Sequence, residues 1–134
     1  MFRKLVLICT VIVPFLGCNQ KTEPSSSDID AAHTFIKFIQ DNNFDEAEKM
    51  MLMDEENTAS LNKLKKAAES KSSTELEQYK NADIIIDELA PLNDTISIVH
   101  YSISSNMNQK NKLKMVKRNG KWLVDLKYTF SGNL

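Results

Sequence analysis

The sequence predicts an α+β domain, with helices in the first half packed on one face of an antiparallel β-meander formed by the second half. Three observations carry this. Apolar residues recur at helical spacing from Ala32 to about Tyr79. From Ala82 the apolar period becomes two. Asn119-Gly120 then sits between two alternating runs, the strongest short hairpin signal a sequence offers.

A leader precedes this domain. Arg3 and Lys4 give it a positive start, and Leu5 to Leu16 is an uncharged, mostly apolar run of twelve residues with Pro14 near its end. As a helix it would span roughly 18 Å, far less than the ~30 Å hydrocarbon core, so it has the length of an export signal and not of a membrane span. Phe15-Leu16-Gly17-Cys18 resembles the bacterial lipobox, in which small residues precede a cysteine that receives diacylglycerol before cleavage. Gly17 and Cys18 match the pattern, while Phe15 stands where an aliphatic Leu is usual. The alternative is an ordinary secretory signal with a chance cysteine.

The resemblance divides the chain into a signal peptide (1–17), a lipidated Cys18 with a polar Pro/Ser spacer (18–27) and the folded domain (28–134). The nine residues 19–27 reach at most about 30 Å, and several acyl chains hold a protein firmly at a bilayer. The implied partner is therefore the membrane, and the implied location the bacterial cell envelope, on its periplasmic or cell-surface face. Asn19 is not the Asp that retains lipoproteins at an inner membrane, which points to the outer membrane if the cell has one.

Removing the leader leaves 117 of 134 residues, ample for one core. Without Arg3 and Lys4, 15 basic residues face 18 acidic ones, a net charge of −3. That excludes the basic footprint of a nucleic-acid binder. Cys9 and Cys18 are the only cysteines, so no disulfide can form within the domain.

In the helical half, Ser27 or Asp28 caps a first helix whose Ala32, Phe35, Ile36 and Ile39 form one apolar face. Asn43 to Glu46 has capping-box spacing ahead of Phe44, Ala47, Met50 and Met51. Asp54 or Thr58 opens a third helix carrying Leu61, Leu64 and Ala68. Thr74 to Glu77 is another capping-box match, with Leu76 and Tyr79 inward. Met50, Met51 and Met53 cluster without Cys or His, so they are read as core filling and not as a soft-metal site.

In the strand half, Asp83–Leu89, Thr95–Ser104, Lys112–Arg118 and Lys121–Tyr128 read as strands. Ala90–Asp94 reads as a turn and Asn106–Asn111 as a polar loop, which is also a possible partner-binding loop. A two-residue Asn-Gly loop pairs Arg118 with Lys121, Lys117 with Trp122, Val116 with Leu123, Met115 with Val124, Lys114 with Asp125 and Leu113 with Leu126. Leu113, Met115, Trp122, Val124, Leu126 and Tyr128 then share the face that buries against the helices.

DAAHTFIKFI, NNFDEAEKMM and the closing LKMVKRNGKWLVDL together resemble small secreted-lipoprotein domains of the nuclear-transport-factor-2-like, cystatin-like α+β superfamily. The resemblance covers about residues 28–128. It implies helices capping a curved sheet to make a cone, often with an apolar pocket at the wide end. The superfamily holds both enzymes and non-catalytic binders, so fold alone does not choose.

Five residues are candidates for lining such a pocket: His100, Trp122, Met115, Tyr128 and Phe35. His100 lies mid-strand between two half-apolar faces. Facing inward it would be a base or a polar anchor; otherwise it is a structural or surface histidine. Trp122 is read first as a core anchor, with Lys117 over its ring, and second as a ligand-stacking group. Asp125 is read as a solvated ion pair with Lys114. Two isolated histidines make no metal site, and no phosphate loop or nucleophile elbow is present. The expectation is a tethered, non-catalytic module, without cofactor or metal, that binds a protein partner or a small apolar ligand. The alternative is a small isomerase or hydrolase built on His100.

Overall fold

The computed structural model describes residues 27–131; the leader, Cys18 and the spacer up to residue 26 lie outside the described residues. Helices come first: α1 (Asp28–Gln40), α2 (Phe44–Glu48), α3 (Glu55–Glu69) and α4 (Ser73–Lys80). A four-stranded antiparallel curved sheet follows, in the order β1 (Ile84–Asn93), β2 (Ile96–Ile103), β3 (Asn106–Arg118) and β4 (Lys121–Asp125), and a short helix α5 (Lys127–Phe130) closes it. The chain is thus α+β, helices then meander.

The ends of α1 are set locally. The Ser27 side chain accepts from the Asp30 amide, and Asp28 and Asp30 favour the positive helix start. At the other end Asn42 takes a left-handed conformation (φ 55°). The Asn43 amide reaches the Phe38 carbonyl and the Asn42 amide that of Ile39, which is a Schellman cap built on asparagine. Asp54 caps α3 through the Asn57 amide.

Two caps differ from expectation. Asn43 stands at the start of α2 but makes no capping bond, because a five-residue helix leaves it in an open conformation (φ −91°, ψ 67°). The capping box of α4 is Ser72 with Glu75, two residues before the Thr74–Glu77 spacing.

The last hairpin pairs as the Asn-Gly loop dictates. Asn119 (φ 51°) and Gly120 (φ 78°) both have positive φ, and the register runs from Arg118↔Lys121 to Lys114↔Asp125. The strand then ends, so Leu126 and Tyr128 are not on it as expected. Asn57 of α3 captures the Lys127 amide at 2.9 Å and turns the chain into α5.

Two other boundaries move. β1 runs through Ala90–Asn93, read from sequence as a turn; Pro91 is tolerated because β1 is an edge strand whose outer side needs no donor. Residues 106–111 are the start of β3 and not a loop. They are almost wholly exposed and polar, so they give no apolar alternation; pairing at Asn106 and Asn111 and the Lys110–Asp87 ion pair tie them to the sheet.

The core lies between α1 and the inner sheet face. Ala31, Ala32, Phe35 and Ile36 meet Val99, Leu113, Met115 and Val124, with Ala47, Met51 and Leu61 beside them. Met53, grouped with the core methionines by sequence, is instead 69% exposed in the loop before α3. Gln40, fully buried, donates to the carbonyls of Tyr79 and Ala82 at 3.0 Å each, tying α1 to the end of α4 and the entry of β1.

Residues 50–52 run parallel to β4. The Leu52 amide bonds Val124 O at 2.9 Å and the Val124 amide bonds Met50 O at 2.8 Å, so the outer edge of β4 is covered. Residues 27–131 thus hold one contiguous hydrophobic core shared by the helices and the sheet.

Candidate functional site

Alternation along β2 decides which groups reach the interior. Val99 is fully buried in the core, so Tyr101 and Ile103 share its side and His100 takes the other. Above that inner face, α1, α3 and α4 do not close completely. They leave a cavity of about 270 Å³ walled by Phe35, Ile36, Leu64, Leu113 and Leu126 among others. This is near the lower end of the ~300–1,000 Å³ usual for ligand sites. Polar residues line the same cavity: Lys71, Ser105, Asn106 and Gln109 are exposed at its rim, and Asn111 and Thr129 are half-buried.

Two phenols reach this apolar space. Tyr101 borders the cavity and keeps some accessible area there, yet protein surrounds it on nearly every side. Burial pushes its hydroxyl well above the usual phenol range, and the nearby Tyr79 adds to the push. Burial raises Tyr79 as well. No hydrogen bond contributes to either shift. Sequence reasoning named neither as a pocket group, although Met115 was correctly placed inward and its pairing with Ser97 puts Tyr101 on the same face.

Of the five residues expected to line a pocket, Phe35 does. Met115 is fully buried in the core, away from the cavity wall. Trp122 packs half-buried against the core, with Lys117 Nζ 5.6 Å from its ring. Tyr128 is carried by α5 to a separate open groove, where Lys114 Nζ lies 5.4 Å from its ring. His100, whose direction the sequence left open, faces outward between Glu88 and Lys112, across the sheet from the cavity.

That outer face does assemble chemistry-bearing groups. A register shift in β1 presents Asp87 to Ser102 (Oγ to Oδ1 3.3 Å) and to Lys110 (Nζ to Oδ1 3.0 Å). Lys110 also approaches Ser102 Oγ at 3.5 Å. The Lys110 ammonium foremost, then the Ser102 hydroxyl and more weakly His100, hold the Asp87 carboxyl below its ordinary range. The groups satisfy one another, and Ser102 is fully buried, so its hydroxyl is closed to a substrate.

Asp125 is a correction. It is 6% exposed, not solvated. Lys114 pairs with it at 3.2 Å as expected, but α3 covers it, and Asn57 Nδ2 donates to it at 3.3 Å. Asn57 also donates to Asp54, whose carboxyl bonds Lys127 at 2.9 Å. The Asn57 amide and Lys127 hold the Asp54 carboxyl down at about 2. This network stitches α3 to the end of β4. Among the described residues no group of His, Cys, Asp and Glu is arranged to hold a metal ion, and no helix is long and apolar enough to cross a membrane.

Set against family models, curated proteins and solved structures, the chain finds no match.

Proposed function

We propose that this chain is a lipid-anchored protein of the bacterial envelope whose folded domain is a nuclear-transport-factor-2-like cone that binds a small apolar ligand. The observation that carries the reading is the cavity: apolar walls, about 270 Å³, and a rim of exposed polar residues. Helices on one face of a curved meander, with space left between the layers, is the arrangement this superfamily resemblance implies. The lipobox-like Cys18 would hold the domain at the membrane, a natural place to meet apolar molecules.

The ligand part is tested by native mass spectrometry of gently purified protein. An apolar small molecule should travel with the wild type and be lost from Ala68→Trp, which fills the cavity from α3. Wild-type protein that carries nothing and takes up no apolar probe would sink this part. The anchor is tested separately: Cys18→Ala should leave the membrane fraction or stall as precursor. Wild-type protein found free with an unmodified amino terminus would remove the anchor.

A further inference from the structure

The cavity is polar at its mouth and mostly apolar along its walls, where the half-buried polar residues are Tyr79, Tyr101, Asn111 and Thr129. A phenol is a good donor and a weak acceptor. A hydroxyl on a mostly apolar wall that no protein group engages keeps its donor free for what enters. No described residue hydrogen-bonds to the Tyr101 hydroxyl; Phe35, Ile36, Leu113, its cross-strand neighbour Asn111 and the second phenol, Tyr79, line the same cavity. We propose that the ligand carries an uncharged hydrogen-bond acceptor, a carbonyl, ester or ether oxygen, at its inner end, and that Tyr101 donates to it. This rests on the cavity being a ligand site, as proposed above, and adds the chemistry of what enters.

The acceptor is uncharged because an anion has no counter-charge inside. Among the described residues Lys71 is the single cation on the lining, and it is exposed at the rim. A carboxylate drawn inward would lose its water without gaining an ammonium partner. A neutral carbonyl loses less and gains the phenol. Tyr101 also stays protonated through ordinary pH, so the donor is always present.

The test uses the full chain and two probes of one carbon frame, indane and 1-indanone, titrated by calorimetry. Tyr101→Phe removes one oxygen and keeps the ring that packs. It should weaken 1-indanone about three- to tenfold, the worth of one hydrogen bond, and leave indane within about twofold. Tyr79→Phe should leave both probes close to wild type. An equal response of the two probes to Tyr101→Phe, or no response, would overturn the assignment while leaving the cavity as a ligand site. Loss of 1-indanone in Tyr79→Phe alone would overturn it too, by moving the donor. If the wild type takes up neither probe, the cavity reading falls and this one with it.

Discussion

The two faces of β2 carry opposite kinds of chemistry. Outward, His100 and Ser102 stand among Glu88, Asp87, Lys110 and Lys112, a collection that resembles an active site when read as a list of residue types. Inward, Ser97, Val99, Tyr101 and Ile103 supply two hydroxyls among hydrocarbon, of which Tyr101 alone lines the cavity. The outer groups are rich in function, but Asp87, Ser102 and Lys110 are spent on one another. The Tyr101 hydroxyl is poor in company and therefore has capacity left for a ligand. Residue types that could do chemistry matter less than whether their hydrogen-bonding capacity is already used.

The sharpest way to break this contrast is to damage each side and compare. Phe35→Ala, on the inner side, removes a fully buried ring and should lower unfolding free energy by about 3–5 kcal/mol in denaturant titration. Asn57→Ala should cost about 2–3 kcal/mol, because Asp125 and the Lys127 amide lose a partner while buried or half-buried. Alkaline titration sharpens the inner side specifically. Tyr79 and Tyr101 are raised in the folded state, so their contribution is complete below about 10, the unfolded value, and is lost as pH climbs toward the folded values. Phenolate absorbance should show both ionising late in native protein and near 10 in denaturant. A native titration with every tyrosine ionising near 10 would put Tyr101 in water. His100→Ala should change stability by less than about 0.5 kcal/mol and leave probe binding unaltered. A large loss of binding there would return the histidine to the site.

Much of the fold was legible because its signals are local. Asn119-Gly120 fixes both positive φ values of the last turn, and register follows for as long as the two strands stay paired. The apolar face of α1 follows from spacing alone. What was not legible depended on distant partners. Asp125 looked solvated because its sheet neighbour Lys114 was visible in the sequence and its cover, Asn57, 68 residues away, was not. β4 stops at Asp125 for the same reason, since the amide that leaves the ladder goes to Asn57. Residues 106–111 hid as a loop because a nearly all-exposed polar stretch shows no apolar alternation. The candidate site was less legible than the fold. Only the choice of inward face on β2 separates Tyr101 from His100, and both faces of that strand are half apolar.

The segment at residues 50–52 that closes the outer side of β4 has a consequence for how copies of this domain can meet. The sheet is left with one open margin, along β1, where among the described residues no strand pairs. Polymerisation through main-chain pairing needs two free margins per molecule, one to receive and one to offer. With a single one, any such encounter ends at two molecules facing each other across a twofold axis and goes no further. Crowded on a surface at high local concentration, a domain built this way is protected from growing into filaments.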